Sequence, residues 1–342
     1  MSKFVMNTWY PLTWSRSVTH QLQSLQIVGK KVVLYRNSQG KTVALEDACP
    51  HRLLPLSMGK LKGDHIECGY HGMTFDCAGK CVRIPGQDIV PNTAKVHAYP
   101  THEHMGLVWI WMGDPARADV SQVFDLPQYH DPKWNVGEGD ALHIEANYLS
   151  LADNLCDPSH VSFVHLTTLG NAQSEDVPVH SEEFPDKVLT WRWVIGQPPI
   201  PLFKKYGNFS DKVDRWHYYH YYAPSIAIID FGTANTGTGA PEGRRDDCIQ
   251  IYACHFIRPV DEHTCVDHWL HVKNFHADEA MNERLNADFR MAFSEDKVIL
   301  EAIQKNELAL PDRRQLRIAI DVSPQRMRRM VERMISAEEV TA

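Results

Sequence analysis

The residues from Cys49 to His71 decide the fold of the first part of the chain. The segment opens with Cys49-Pro-His51 and, after sixteen further residues, closes with Cys68-Gly-Tyr-His71. Each end offers one thiolate and one imidazole. Pro50 and Gly72 suit tight loops, so the sequence predicts two loop tips that meet over one metal centre.

Two Cys and two His can hold a [2Fe–2S] cluster of the Rieske type, with the sulfur ligands on one iron and the nitrogen ligands on the other. Because imidazole is neutral, such a cluster has a higher reduction potential than an all-Cys cluster. It passes one electron at a time, which indicates a redox pathway. The same residue types could hold zinc. In Cys2His2 zinc sites, however, the Cys form one pair and the His another, whereas here they interleave.

Length and composition limit the classes of protein to consider. The chain has 342 residues, 43% of them hydrophobic, and a net charge of −8. It can therefore form one large domain or two ordinary ones. No Lys/Arg run indicates a nucleic-acid partner. No signal peptide and no apolar stretch of about 18 residues is recognisable, so we expect a cytoplasmic protein without a membrane span.

Eight Cys in a chain of this size do not indicate a disulfide scaffold. Two of them belong to the metal motif. We expect the other six to be free thiols, most of them buried: Cys77, Cys81, Cys156, Cys248, Cys254 and Cys265.

Strand-forming segments and turns dominate the first third of the chain. Short β-prone segments lie between residues 26 and 46, with a turn at Asn37-Ser-Gln-Gly40. A dense β-prone run at 106–112 ends at Gly113-Asp-Pro115. We therefore predict that residues 1–120 form a small antiparallel β domain that carries the cluster.

The remainder, residues 121–342, has a different pattern, which predicts a second domain. Residues 146–165 are partly helical, and 277–308 have the apolar spacing of a helix. Ser323 and Pro324 mark the start of a last helix. Strand character occurs in four segments: 188–195, 216–234, 248–258 and 265–275.

A second group of chemically active side chains lies in this part of the chain. His160 and His165 are five positions apart, so a helix that kinks or ends between them could aim both imidazoles at one point. Two His and one carboxylate form the facial triad of non-haem Fe(II) oxygenases, which leaves positions open for O2. Glu295 and Asp296, in the long predicted helix, are candidates for the carboxylate. A structural role for either His remains an alternative.

Together these motifs give the chain a specific resemblance. It resembles the oxygenase components of the Rieske non-haem iron oxygenases, in the branch that contains vanillate O-demethylase, dicamba O-demethylase and toluenesulfonate methyl-monooxygenase. The matching segments run almost end to end: Asn7-Thr-Trp-Tyr10, Cys49-Pro-His-Arg52, Pro55-Leu-Ser57, Cys68-Gly-Tyr-His-Gly72, Pro85-Gly-Gln87, Trp109-Ile-Trp-Met-Gly-Asp114, Asp153-Asn-Leu-Cys-Asp-Pro-Ser-His160 with His165, and Phe293-Ser-Glu-Asp296.

The resemblance implies an α+β fold: a small antiparallel β Rieske [2Fe–2S] domain, followed by a helix-grip catalytic domain in which a curved antiparallel sheet wraps a long helix. It implies Cys49, His51, Cys68 and His71 as the ligands of the cluster. For the mononuclear Fe(II), it implies three ligands: His160, His165 and Asp296.

The resemblance also implies roles for two neighbours of the iron. Asp157 would bridge His160 and the cluster ligand His71 of a neighbouring subunit in a homotrimer, and would orient both rings. Asn154 would lie close to the iron without binding it firmly. A helix cap before Pro158 is the structural alternative for Asp157. The residues around Asp157 depart from the Met-Asp-Leu-Thr/Gly run of the demethylases, which puts vanillate itself in doubt as the substrate.

For the substrate, we expect a pocket between sheet and iron. Asp230 and His255 are the candidate lining residues, and His255 matches a position where a His of the dicamba-type enzymes contacts an anionic aromatic substrate. A lone His on a strand can equally be a satisfied core residue. The aromatic run 216–222 could stack a ring or simply form a half-buried strand.

The predicted function is that of a terminal monooxygenase. It would activate O2 at iron and hydroxylate a methoxy or methyl group of a small aromatic substrate. Ring cis-dihydroxylation and hydroxylation of a non-aromatic molecule are enzymatic alternatives, and a Rieske electron carrier is the non-enzymatic one. No dinucleotide or flavin fingerprint is present. A separate NAD(P)H-dependent flavin/iron–sulfur reductase component is therefore implied.

Overall fold

The computed structural model describes residues 3–166, 168–170 and 174–341. The chain divides into two units. The first unit comprises Met1–Asp125 with Arg258–Glu262 and Glu338–Ala342, and the second comprises Leu126–Ile257 with His263–Ala337. None of the helices in the described residues combines the length and the apolar character that crossing a membrane requires.

The first unit is built of short antiparallel strands. Their bounds are β1 (Trp9–Trp14), β2 (Gln23–Ile27), β3 (Lys30–Arg36), β4 (Thr42–Glu46), β5 (Lys60–Lys62), β6 (His65–Glu67), β7 (Thr74–Phe75), β8 (Cys81–Arg83), β9 (Ala98–Tyr99), β10 (Thr101–His104) and β11 (Leu107–Trp111). They form three sheets in the orders β1-β11-β10, β2-β3-β4-β9 and β5-β6-β7-β8.

The core of this unit forms because apolar side chains cover the facing surfaces of its strands. Strand β3 buries Val33 and Tyr35 in one cluster with Ile66 and Phe75 of the sheet β5-β6-β7-β8. Cys49 and Cys68 belong to the same buried cluster. The two loops that carry them therefore start from rigid positions in the core, and their tips can be placed reproducibly.

The second unit contains the remaining strands and the α-helices of the described residues, except for the last residues of β18 and α6, which belong to the first unit. Their bounds are α1 (Pro127–His130), β12 (Asn135–Gly137), β13 (Ala141–Ile144), α2 (Tyr148–Leu155), α3 (Val161–Val164), β14 (His180–Glu183), β15 (Lys187–Gln197), α4 (Pro201–Tyr206), β16 (Val213–Tyr222), β17 (Ile226–Asn235), β18 (Cys248–Pro259), β19 (Cys265–Lys273), α5 (Glu279–Ala309) and α6 (Val322–Thr341). Short 3-10 helices lie at Ser15–Ser17, Leu56–Met58, Pro115–Arg117, Val120–Gln122 and Ala319–Asp321.

An eight-stranded sheet in the order β12-β19-β18-β17-β16-β15-β14, with β13 also paired to β19, forms the body of this unit. The pairings from β14 to β18 are antiparallel. The long hairpins β15–β16 and β16–β17 keep register over most of their length. Side chains alternate between the two faces along such strands. The face that a residue occupies therefore decides whether it can reach the helix that covers the sheet.

Helix α5 packs on one face of that sheet. Asp278 caps its start, where the Asp278 carboxylate accepts a 2.7 Å hydrogen bond from the backbone N–H of Met281. Leu285, Phe289 and Phe293, at helical spacing, pack in one buried cluster with Phe231 and other sheet residues. Asp296 continues the buried stripe. The predicted α+β architecture, with an antiparallel sheet and a long helix after the β domain, is confirmed.

Candidate metal centres and active-site cavity

The two loops of the Cys/His motif have the same backbone geometry. In the first loop, Leu53 N donates to Cys49 O over 2.8 Å, and in the second Gly72 N donates to Cys68 O over 3.1 Å. Leu53 and Gly72 both have positive φ, 59° and 73°. Only glycine adopts that conformation without strain, so Leu53 marks a loop shape that its surroundings impose.

These loops bring their four candidate ligands to one place. The Cys49 and Cys68 side chains are buried, and the ring centroids of His51 and His71 lie 4.6 Å apart. One small cavity is lined by all four and by Arg52, Leu54, Tyr70 and Met73. Two thiols and two imidazoles around one cavity are the donors that a Rieske [2Fe–2S] cluster needs, so the residues fit that group.

The pKa of the Cys49 thiol agrees with a site that binds a metal. Burial, together with the hydrogen bond and charge of the neighbouring Cys68 thiol, raises the pKa of Cys49 to about 11 and outweighs the opposing backbone hydrogen bond of His51. The metal-free thiol is therefore protonated at neutral pH. Because thiolates are the metal ligands, cluster binding must displace protons from this pocket.

The second candidate centre is built around the single-turn helix α3. His160 precedes that turn and His165 follows it. This explains how two imidazoles five positions apart approach each other, with ring centroids 5.3 Å apart. Asp296 of α5 completes the group. His165 Nε2 lies 3.2 Å and His160 Nε2 3.6 Å from Asp296 Oδ1.

One ligand atom from each of these three residues lies within 4.8 Å of the other two. Two imidazoles and one carboxylate at this separation fit a mononuclear Fe(II) of the facial-triad type. Asn154, on α2, donates a 3.0 Å hydrogen bond from Nδ2 to Asp296 Oδ1. Its own Oδ1 is buried and has no hydrogen-bond partner among the described residues.

Glu295 and Asp296 have different positions although they are adjacent in sequence. Glu295 Oε2 lies 2.7 Å from His165 Nδ1, on the opposite side of the ring from Asp296. It also accepts a 3.0 Å hydrogen bond from Thr168 Oγ1. Glu295 therefore fixes the orientation of His165, while Asp296 faces both imidazole Nε2 atoms.

The pKa shifts of Asp296, His160 and His165 agree with a group of side chains that binds a cation. Burial would raise the pKa of Asp296, but its hydrogen bond to His165 and the charges of His160 and His165 outweigh burial and lower it. Burial lowers the pKa of His160 despite the opposing effects of Asp296 and Asp157. Burial acts in the same direction on His165, where hydrogen bonds and charges of Asp296 and Glu295 prevail and raise the pKa.

One carboxylate oxygen of Asp157 caps the following turn, and the other is directed toward His160. Its Oδ1 accepts a 2.7 Å hydrogen bond from Ser159 N. Its Oδ2 lies 4.0 Å from His160 Nδ1, which is beyond hydrogen-bond range. His160 Nδ1 is buried and has no hydrogen-bond partner among the described residues.

An apolar cavity adjoins the three candidate ligands. Strands β16, β17 and β18 and helix α5 supply most of its wall, and aromatic side chains are prominent. The residues that line it are Asn154, Leu155, His160, Val161, His165, Leu169, His217, Tyr219, Ile229, Phe231, Ala253, Phe289, Phe293 and Asp296. A cavity with apolar walls and a few convergent polar groups at one end is the usual form of a small-molecule site.

Neither of the two predicted substrate residues is among these lining residues. Asp230 lies on the opposite face of the sheet, between Ile229 and Phe231. There it accepts hydrogen bonds from Trp216 Nε1 and Gln250 Nε2 at 2.9 and 2.8 Å.

His255 is buried on the helix-covered face of the sheet. Its Nδ1 lies 2.7 Å from Asp267 Oδ2, and its ring centroid lies 4.7 Å from that of Phe293. It therefore contacts a lining residue of the cavity rather than the cavity itself.

Sequence reasoning named the aromatic run 216–222 as a segment that could stack a ring, but it did not single out the residues that form the walls. Of that run, His217 and Tyr219 line the cavity. Ile229 and Phe231 flank the predicted Asp230. The signal that could have found them is the two-residue period of the strands, once the buried face is known.

Comparison with known proteins shows the family of the chain. The model of the Rieske [2Fe-2S] domain matches residues 8–99, and that of the vanillate O-demethylase oxygenase C-terminal domain matches residues 144–337. The iron–sulfur subunit of the toluene-4-sulfonate monooxygenase system of Comamonas testosteroni is 37% identical over 341 residues, 98% of each chain. The vanillate O-demethylase oxygenase subunit of a Pseudomonas strain is 31% identical over 345 residues, 99% of this chain and 97% of that one.

Among solved structures, dicamba monooxygenase bound to dicamba aligns with a TM-score of 0.87 at 28% identity, covering 98% of this chain and 99% of the other. The chain therefore belongs to the Rieske oxygenases, as an oxygenase component of the vanillate O-demethylase branch. The predicted resemblance and the predicted class of enzyme are confirmed. The match over residues 144–337 goes beyond what an electron carrier needs. As an oxygenase component, the enzyme depends on a separate reductase for its electrons.

Proposed function

We propose that this enzyme hydroxylates a methyl or methoxy carbon of a small aromatic substrate. His160, His165 and Asp296 hold the mononuclear Fe(II), and Cys49, His51, Cys68 and His71 hold the Rieske cluster. The observation that carries the proposal is the two-His, one-carboxylate group at one end of an apolar, aromatic-walled cavity. Fe(II) bound to such a group keeps positions open and supplies O2 activation there.

The protein's own residues prepare this site in three ways. Glu295 fixes the tautomer and the orientation of His165. Asn154 holds the Asp296 carboxylate by a hydrogen bond on the oxygen that faces the imidazoles. The apolar walls, among them Phe231, Phe289 and Phe293, exclude water and offer ring surfaces to an aromatic substrate.

The choice of a methyl or methoxy carbon rests on the relatives. One is named as a toluene-4-sulfonate monooxygenase subunit and another as a vanillate O-demethylase subunit. A third, chloroacetanilide N-alkylformylase of Rhizorhabdus wittichii, is 34% identical over 310 residues. Hydroxylation of a methoxy carbon gives a hemiacetal that collapses to formaldehyde and a phenol. Ring cis-dihydroxylation and hydroxylation of a non-aromatic molecule are the alternative outcomes.

We extend the proposal to the assembly. Residues 1–120 form the electron-transfer domain and 121–342 the catalytic domain of a homotrimer, which lies in the cytoplasm, where an NAD(P)H-dependent reductase supplies electrons. Asp157 links His160 to His71 of a neighbouring subunit and so gives electrons a short route between the metals. Supporting this role, Asp157 Oδ2 lies on the side of His160 Nδ1, and that nitrogen has no hydrogen-bond partner in the described part of the chain.

Labelled O2 tests the proposed reaction. The enzyme with a Rieske-oxygenase reductase and NADH is offered 4-methylbenzenesulfonate and 3- and 4-methoxybenzoate. We expect one labelled oxygen in a benzylic alcohol from the methyl substrate, and formaldehyde with the corresponding phenol from a methoxy substrate. His160→Ala should give no product. A ring cis-diol with two labelled oxygens from these substrates would contradict the proposal.

A further inference from the structure

Two buried arginines lie on the helix-covered face of the sheet, next to the active-site cavity. Arg192 is on β15 and Arg215 on β16, and they are 1% and 0% exposed. In the register of the two strands, Arg192 is directly opposite His217, and Arg215 is opposite Val194, two positions along. All four side chains are therefore on one face.

Two cavity residues connect this pair to the cavity. His217 and Tyr219 line the cavity. Arg192 is directly opposite His217, and Arg215 is two positions from His217 on the same strand. The positive charges of both add to burial in lowering the pKa of His217 well below its ordinary value. Burial raises the pKa of Tyr219, and the charge of Arg192 opposes that rise. The arginines therefore adjoin the wall formed by these two side chains.

The charge of Arg192 is incompletely compensated. Its Nη1 donates a 2.9 Å hydrogen bond to Ser174 O, but its Nε and Nη2 atoms have no hydrogen-bond partner among the described residues. The charge of the Asp157 carboxylate acts on Arg192, but no ion pair between the two is found among the described residues. An isolated buried charge is costly, and arginine cannot relieve that cost by losing its proton at neutral pH.

Arg215 adds a second positive charge beside the first. Its Nη2 donates a 3.0 Å hydrogen bond to Ser174 Oγ. Burial and the charge of Arg192 lower its pKa to about 10, so the side chain remains charged at neutral pH. Opposite it on β17, Thr233 has a buried hydroxyl without a hydrogen-bond partner among the described residues. Two like charges and a spare hydroxyl on one face favour an anion.

We propose that Arg192 and Arg215, reached past His217 and Tyr219, form the subsite that receives the acid group of an anionic aromatic substrate, a sulfonate or a carboxylate. This inference rests on the proposed function, because it names the substrate class of the same cavity. The planar guanidinium fork binds two oxygens of either acid group at once. With the acid group held by the arginines, the rest of the ring occupies the apolar cavity toward His160 and Asp296.

The proposal predicts a charge preference that a structural role of the arginines does not predict. The test measures dissociation constants by calorimetry on the anaerobic, fully metal-loaded enzyme. The probes are 4-methylbenzenesulfonate, 4-methylbenzoate and the neutral 4-methylbenzenesulfonamide. Wild type should bind at least one of the two anions at least about 10-fold more tightly than the sulfonamide, since a hydrogen-bonded charge contributes a factor of that order. The tighter anion identifies the acid group.

Arg192→Met should weaken binding of that anion about 10- to 100-fold and leave sulfonamide binding within about 3-fold. Arg192→Lys should restore part of the preference, because it keeps the charge and loses the fork. Arg258→Met is the matched control. Arg258 is a buried arginine of the first unit that donates to Leu12 O, and its loss should leave the preference unchanged. If the Met variant does not fold, Arg192→Gln replaces it.

Two outcomes overturn the subsite: wild type binds neither anion more tightly than the sulfonamide, or the Arg192 variants keep the wild-type preference. Because binding is measured without turnover, the result is independent of the proposed reaction. An Arg192-dependent preference for an anion that the complete system never oxidises would leave the subsite standing and would contradict the proposed function alone.

Discussion

The Nδ1 atom of His165 lies 2.7 Å from Oε2 of Glu295, and its Nε2 atom lies 3.2 Å from Asp296 on the opposite side of the ring. Two adjacent acidic residues of one helix therefore have separate tasks. Glu295 orients the imidazole, and Asp296 completes the proposed metal-binding group. Because consecutive helical positions point about 100° apart, both residues can serve one histidine from different sides.

Substitutions at the two positions should separate these roles. Asp296→Ala removes a proposed ligand and should abolish turnover and the mononuclear iron, while the visible spectrum of the cluster persists. Glu295→Gln keeps the size and removes the charge, so we expect iron to bind about 10–100-fold more weakly and some activity to remain. Iron titration and turnover are the measurements.

Asp288→Asn is the control on the same helix. Asp288 pairs with Lys205 and accepts from Tyr206, and it is not among the cavity-lining residues. This variant should keep iron and activity. The assignment would be wrong if Glu295→Gln lost all iron while Asp296→Ala retained it.

Asp157→Asn should slow electron transfer between the two metal centres. Asn keeps a carbonyl oxygen for the 2.7 Å cap to Ser159 N but removes the charge, so local folding should persist. The amide nitrogen that replaces Oδ2 is a donor and cannot accept a hydrogen bond from the imidazole N–H of His160 or of the neighbouring subunit's His71. We expect single-turnover oxidation of the cluster, with O2 and substrate present, to slow by about 10–100-fold or more. Wild-type rates with both metals fully loaded would show that Asp157 serves only as a cap.

His51→Cys and His71→Cys test the cluster ligands. A thiolate adds negative charge to the cluster, so the reduction potential should fall, or the cluster should be lost. Redox titration followed by visible spectroscopy measures the change. His65→Ala, at an exposed position on β6 of the same unit, should leave the potential unchanged. A cluster whose potential is unaffected in both Cys variants would refute this ligand set.

Arg328→Met should destabilise the second unit without changing its chemistry. Arg328 makes a bidentate pair with Asp153, in which Nε donates to Oδ1 over 3.0 Å and Nη2 donates to Oδ2 over 2.6 Å, and so ties α6 to the helix that carries Asn154. We expect a loss of about 1–3 kcal/mol in the free energy of unfolding, since hydrogen bonds between charged groups are broken. Chemical denaturation measures it. Arg329→Met, at an exposed neighbouring position, should change stability little, and an equal loss there would contradict the assignment.

The grouping of the candidate metal ligands could be predicted from sequence because most of their spacing is local. Cys49 and His51 lie on one loop and Cys68 and His71 on another, so tight turns alone bring each pair together. His160 and His165 flank one helical turn. Asp296 is far away in sequence, and family resemblance singled it out over Glu295. The buried stripe of α5 gives the physical reason, since Asp296 continues Phe289 and Phe293.

The cavity could not be predicted in the same way. A strand shows its two faces by alternation, but sequence alone does not say which face meets the helix. The sequence therefore predicts Asp230 as a lining residue, whereas its neighbours Ile229 and Phe231 line the cavity. Arg192 and Arg215 lie on separate strands, and only the register of β15 and β16 places them together.

Iron and acid-labile sulfide content per chain is the measurement that tests the central claim most directly. Two metal centres in one chain require one iron more than the two of the cluster, with two sulfides. His160→Ala should lose only that additional iron and keep both sulfides. Wild-type enzyme with no iron beyond the cluster, or with zinc in place of iron, would contradict the account.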